Sequence, residues 1–213
     1  MKRSIIAAAL AAFTMSILPA QAGNIVEDWA GVKAPAAPTL KPVTVDAKTT
    51  ALLVMDLAKQ TCNNEKRPRC VASIPEIAKL MAEARAKGVL LISTSVPPVP
   101  MTDILPQVAP KPGEPTVVAW VDKFVLGDKP TGLEAMLKEK GIKTVITVGT
   151  ASYGAVLYTS SAAALRGYNV IVPVDGLTSE DQYFDQATVW LLTKGVGGIG
   201  PKVTLTTIDK IKF

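Results

Sequence analysis

The chain contains no histidine and only two cysteines among its 213 residues. Those two facts remove much of the enzymatic repertoire. Without an imidazole there is no Ser-His-Asp or Cys-His arrangement and no histidine-ligated zinc or iron. Two thiols alone are too few for a thiolate metal site, so no metal or other cofactor is expected. Aromatic residues make up 5% of the chain, and the small excess of positive charge is scattered over predicted helix faces. The basic stripe with interleaved aromatics that nucleic-acid binding needs is missing, and no nucleic-acid partner is expected. Beyond residue 22 no apolar run reaches the length that crosses a bilayer.

What is present begins with an export pattern. Lys2 and Arg3 form a basic start, Ile5 to Leu18 is a short apolar run, and Pro19 precedes Ala20-Gln21-Ala22. This arrangement predicts a secretory signal peptide over residues 1–22, cut after Ala22. It implies a periplasmic or secreted protein that keeps no membrane attachment. Cys62 and Cys70 flank the polar loop NNEKRPR. In an oxidising compartment they are expected to form a local disulfide; the alternative is a free nucleophilic thiol at one of them.

Residues 23–49 are rich in alanine and proline without periodicity and read as an N-terminal arm. From residue 50 to residue 213 the pattern alternates strand and helix. Strands are expected at Ala51–Met55, Val89–Ser95, Val117–Val121, Lys143–Val148, Asn169–Val174 and Val203–Ile208. Helical spacing covers Ile74–Lys87, Gly132–Lys140, a stretch from near Tyr153 to Gly167, and Asp181–Thr193. Val96–Pro115 carries seven prolines and is expected to be irregular. The glycine run GVGGIG, Gly195–Gly200, follows a helix rather than a strand, so it reads as a connection and not a dinucleotide fingerprint. The sum is an α/β class chain: a three-layer α/β/α Rossmann-like fold with a mainly parallel six-stranded sheet.

In such sheets ligands bind beyond the carboxyl ends of the strands. Three places qualify. Asp56 ends the strand ALLVMD, where partial burial would raise its pKa and suit it to proton transfer. Lys123 follows TVVAWVD and could hold an anion or keep a neighbouring carboxylate ionised, with Lys129 as a weaker rival. The turn Gly149–Ala155 aims backbone N–H groups from a helix start, which can hold an anion or oxyanion through Ala151, Ser152, Tyr153 and Gly154. Each has a plainer reading as a turn aspartate, a solvated lysine and a closely packed helix.

Taken together, ALLVMD, VVAWVDKF with TGLEAMLKEKGIKTVITVG, and VGTASYGAVLYTSSAAALRGYNVIVPVDG resemble the isochorismatase-like (cysteine hydrolase) superfamily over nearly the whole of residues 50–213. The resemblance implies that Asp56 is the catalytic aspartate, that Lys123 is the catalytic lysine, and that the turn contains a cis peptide. It also places the family's nucleophilic cysteine at Ala155, where a methyl group cannot attack a carbonyl. True isochorismatases also lack the cysteine and use acid catalysis from the aspartate on a vinyl ether. The implied function is hydrolysis of a C–N or vinyl-ether bond in a small molecule by Asp56, Lys123 and the backbone turn. Two alternatives stay open: an inactive protein that binds a small molecule in the inherited crevice, and an amidohydrolase whose cysteine has been engineered to alanine. Ser152 as a replacement nucleophile lacks a histidine to activate it. A homo-oligomer is compatible with all of these.

Overall fold

The computed structural model describes residues 23–213, so the predicted signal peptide lies outside the described residues. The described residues divide into two units, residues 23–36 and 37–213. In the first, the helical turn Ile25–Asp28 is closed by a capping box, with Asn24 accepting from the Val26 and Glu27 amides and Glu27 accepting from the Asn24 amide. The second unit includes the later part of the segment read as an arm. There Val43–Thr44 pairs in parallel with Ile211–Lys212.

Seven strands form the main sheet: β1 (Thr50–Met55), β2 (Leu90–Ser95), β3 (Thr116–Val118), β4 (Thr144–Thr150), β5 (Asn169–Pro173), β6 (Leu177–Thr178) and β7 (Val203–Thr206). Six of them run in the order β7-β5-β4-β1-β2-β3, and β6 pairs with the end of β4. All pairings are parallel. The expected parallel α/β architecture is therefore present, with β6 as a short addition to the six strands read from sequence. The chain order reverses between β1 and β4, so the switch point, where such sheets bind ligands, lies beyond their carboxyl ends.

Every residue of β1 is buried. Its side chains alternate between two apolar layers, as a strand covered on both faces must. Leu52 and Val54 join Ile74, Ile77, Leu80, Met81 and Ala84 of helix α1 (Pro68–Ala86). Ala51, Leu53 and Met55 join the layer containing Leu133 and Leu137 of α2 (Leu133–Glu139), Ala162–Ala164 of α3 (Leu157–Leu165) and Val189 and Leu192 of α4 (Gln182–Lys194).

Most bounds agree to within two residues, and three departures are instructive. Helix α1 starts at Pro68, six residues before the predicted start, because Pro68 serves the first turn and Pro75 is accommodated inside the helix. Strand β3 ends at Val118 rather than Val121, freeing the following carbonyls for another task described below. The glycine run passes into a helical turn, Ile199–Lys202, so it is not wholly a connection. The proline-rich stretch holds the short 3₁₀ turns Met101–Asp103 and Pro106–Val108 and a single bridge from Ile104 to Ala58.

Candidate functional site

Asp56 leaves β1 with φ of 57°, the one non-glycine residue with positive φ among the described residues. The left-handed conformation costs a side-chain-bearing residue roughly 1 kcal/mol and is best tolerated by Asp and Asn. Two contacts hold it: the Asp56 amide donates to the Thr94 carbonyl at 3.2 Å, and the Thr61 hydroxyl donates to the Asp56 carbonyl. The bend turns the carboxylate across the strand ends. Oδ1 accepts from the Thr94 hydroxyl at 2.6 Å and Oδ2 from Lys123 Nζ at 2.7 Å.

Lys123 has no solvent exposure. Its ammonium also donates to the carbonyls of Trp120 at 2.7 Å and Ala119 at 2.9 Å, with the Ser95 carbonyl at 3.5 Å. An ammonium has three protons, so the pair and the two short carbonyl contacts commit all of them. Of the two roles considered for Lys123, pairing with a carboxylate is the one the geometry provides; holding a substrate anion is not. The early end of β3 now has its reason, since a continued edge strand would engage the Ala119 carbonyl with β2 and turn that of Trp120 to the opposite side. Thr159 and Thr131 fix the lysine's own backbone at 3.2 and 2.7 Å. The rival Lys129 lies exposed on the small hairpin Val125–Leu126/Lys129–Pro130 and takes no part.

Burial disfavours charge on both partners. It pushes the Asp56 carboxyl up, against the opposing pull of Lys123, and pushes the Lys123 ammonium down, against the pull of Asp56. The two proton affinities move toward each other, which makes transfer along their hydrogen bond less costly.

The turn follows β4 directly. Met55 pairs with Gly149 in register, and Gly149 has φ of 132° with its α-carbon so close that a Cβ would overlap the Met55 carbonyl. Only glycine permits that approach. The Thr150–Ala151 peptide is cis, as the resemblance implies. Residues Ser152–Val156 then form a wide π turn before α3, a widening frequent at functional sites. Gly154 and Val156 donate to the Ala151 carbonyl at 3.1 and 3.3 Å, so the Gly154 N–H is engaged within the turn. The turn meets the lysine loop at Gly154, whose Cβ position lies 3.6 Å from Val121. Ala155 is 3% exposed and packs in the apolar layer. Ser152 is fully buried, its hydroxyl donating to Asp185 at 2.7 Å, and Tyr153 donates to Glu180 at 2.6 Å.

Asp56, Lys123 and the Ala151–Ala155 turn therefore meet at one edge of the sheet. Cys62 and Cys70 are joined in a disulfide beside it, and neither sulfur falls in the turn. Arg67, Arg69, Glu180 and Asp185, which also adjoin this edge, were not singled out by sequence. The arginines lie in the polar loop between the cysteines, and that placement was the available signal. A groove of about 660 Å³ bounded by Lys48, Arg85, Leu90, Glu114 and Lys140 lies at the opposite, amino end of the strands and contains none of these residues. Among the described residues no cluster of Cys, Asp and Glu is placed to hold a metal ion, and no helix is long and apolar enough to cross a membrane.

Solved structures share this architecture at low sequence identity. An isochorismatase from Pseudomonas putida superposes with a TM-score of 0.68 at 18% identity, covering 82% of this chain and 100% of its own. A cysteine hydrolase from Pseudomonas syringae pv. phaseolicola gives 0.67 at 17% identity, covering 83% and 96%. N-carbamoylsarcosine amidase from Thermoplasma acidophilum gives 0.58 at 19% identity, covering 76% and 97%. No curated protein sequence matches the chain. The isochorismatase domain model matches residues 50–200, the span that carries Asp56, Lys123 and the turn, and the chain belongs to the isochorismatase family.

Proposed function

We propose that the protein is an exported hydrolase that acts without a thiol on a small molecule, cleaving a vinyl-ether or C–N bond with Asp56 as proton donor and acceptor. The observation that carries this reading is the buried Asp56–Lys123 pair at 2.7 Å at the switch point of the sheet. A charge pair withdrawn from water contributes little or nothing to stability compared with an apolar pair of the same volume. Its retention beside a strained aspartate and a close-packed glycine fits a chemical role. Lys123 passes a proton to Asp56 through the shared hydrogen bond, Asp56 delivers it to the substrate, and the proton released by the attacking water returns to Asp56 and so to Lys123. For a C–N substrate, backbone N–H groups at the start of the turn receive the negative charge that develops on the carbonyl oxygen. With alanine at position 155 no covalent intermediate forms there, so water completes the hydrolysis. Export follows the predicted signal peptide, and the disulfide agrees with an oxidising location.

The chain without residues 1–22, assayed against isochorismate and small amides, tests the reading. Wild type is expected to turn over at least one of them, and Asp56→Asn to lose activity by about 100-fold or more, the scale of a general acid–base contribution. Undiminished turnover in Asp56→Asn would remove the mechanism.

A second reading has its own observation. Ala155 is 3% exposed within the apolar layer, which suits a binding protein that kept the crevice and lost chemistry. It predicts an inert wild type with saturable ligand binding, and amidase activity gained in Ala155→Cys.

A further inference from the structure

The Cys62–Cys70 loop is tied to the far side of the site by two bridges of the same design. Arg67 donates through Nε to Glu180 Oε2 at 2.9 Å, and Glu180 Oε1 accepts the Tyr153 hydroxyl at 2.6 Å. Arg69 donates through Nη2 to Asp185 Oδ2 at 3.0 Å and to the Ser179 carbonyl at 3.1 Å. Asp185 Oδ1 accepts the hydroxyls of Ser152 and Ser179, each at 2.7 Å. Each arginine therefore reaches one of the two adjacent residues that open the turn, Ser152 and Tyr153, through a carboxylate.

The same loop also touches Asp56. Arg67 Nη1 donates to the Thr61 carbonyl at 3.0 Å, and the Thr61 hydroxyl donates to the Asp56 carbonyl. Thr61 immediately precedes Cys62, and Arg69 immediately precedes Cys70. The disulfide, joining Cα atoms 5.4 Å apart, holds both ends of this assembly at fixed separation.

Stability alone does not account for it. Each pair joins a mostly buried side chain, Arg67 at 18% or Asp185 at 19% exposure, to a more exposed one, Glu180 at 39% or Arg69 at 36%, and such half-wet pairs contribute only modestly because ordering long side chains opposes the Coulomb gain. Closing the loop covalently removes part of that ordering cost in advance. What the charge-assisted hydrogen bonds add is direction, since the guanidinium fork fixes its acceptors in a plane.

We propose that Arg67 and Arg69, presented by the Cys62–Cys70 disulfide loop, are positioning residues that fix the Ser152–Val156 turn relative to Asp56. The proposal rests on the reading of that turn and Asp56 as the substrate-facing groups. Arg67 also brings positive charge toward Asp56, whose other facing groups are Lys123 and the Thr94 hydroxyl.

The test compares the protein with three variants: Arg67→Ala/Arg69→Ala, Arg67→Lys/Arg69→Lys and Cys62→Ala/Cys70→Ala. Amide hydrogen exchange is followed over minutes in residues 151–157 and in the core strand 144–148. The Asp56 carboxyl is titrated by carbon NMR. In the arginine-to-alanine variant, residues 151–157 are expected to exchange about tenfold faster while strand 144–148 stays protected, and Asp56 is expected to titrate higher. The lysine variant restores the Asp56 titration by charge but not the protection of the turn, because the fork is lost. The cysteine variant loosens the turn as well. An unchanged turn in the alanine variant, a change confined to residues 59–72, or equal acceleration in strand 144–148 would each overturn the proposal. These readouts need no turnover, so an inactive wild type with a loosened turn would fault the functional reading and leave the positioning role standing.

Discussion

A lysine with no solvent exposure is the least expected residue in this protein, and its replacement gives a direct prediction. Lys123→Met keeps the length and flexibility of the side chain but leaves Asp56 buried with Thr94 as its remaining side-chain partner. Breaking a buried pair at one end costs about 3–5 kcal/mol when the abandoned group stays charged. The abandoned carboxyl escapes part of that cost by staying protonated. Its pKa, already raised by burial in the wild type, rises further without the ammonium. A carboxyl whose folded pKa exceeds its unfolded one keeps its share of stability at low pH and loses it as pH rises through the folded value. The gap in urea midpoint between wild type and Lys123→Met is therefore expected to be small near about pH 4 and large near about pH 8. A gap independent of pH would mean that Asp56 is not left to titrate. At this scale the sequence was informative about position but not environment. Asp56 and Lys123 both stood out as charged residues just after apolar strands. Nothing local to Lys123 announced its burial, because its acceptors come from carbonyls freed by the early end of β3 and from a carboxylate 67 positions away.

Among the elements, the proline-rich stretch shows how an irregular segment is held in place. Arg85 in the last turn of α1 grips Glu114 with two hydrogen bonds, 2.7 Å from Nε and 2.9 Å from Nη2, and also reaches the Ala109 carbonyl at 3.3 Å. The Arg85 hydrogen bond holds the Glu114 carboxyl below its ordinary value of 4.5. A depressed carboxyl contributes stability above its unfolded pKa and loses it as pH falls through the folded value. Glu114→Gln is thus expected to cost about 1 kcal/mol at neutral pH, after allowance for solvent screening. Denaturant titrations should show that difference fading as the solution is acidified below about pH 4.5. A cost that persists in acid would assign the effect to shape rather than charge. The elements themselves were mostly legible: short apolar runs rich in Val and Ile located all six principal strands, and glycine stops located the ends of helices. What escaped were features set by tertiary contact. Pro75 masked the first turns of α1, and two-residue Leu177–Thr178 has no periodicity from which its pairing with Gly149–Thr150 could be read.

For the whole molecule, the fold gathers the strand ends that carry Asp56 and the turn, and the disulfide closes the loop beside them. The sequence made the fold class plain because alternating strands and helices leave few topologies for a parallel sheet. It brought Asp56 and Lys123 together with the turn, but not Arg67 with Glu180 or Arg69 with Asp185, because those pairs form only once the order reversal sets β1 beside β4. The disulfide spans a sequence separation of eight, and chain-entropy reasoning gives a loop of that size about 2.5 kcal/mol. In a domain of this length such a loss lowers the melting temperature by roughly 5–10 °C. Cys62 and Cys70 are both buried and both belong to the apolar layer under α1, so replacement by alanine removes the crosslink without burying a new polar group. Cys62→Ala/Cys70→Ala is accordingly expected to fold, to melt about 5–10 °C lower by calorimetry, and to keep its cooperative transition. In the wild type produced in an oxidising compartment, mass spectrometry without reductant should find no alkylatable thiol. Two free thiols there, or a variant that melts with wild type, would show that the loop is held by its arginines and its packing rather than by the bond between its cysteines.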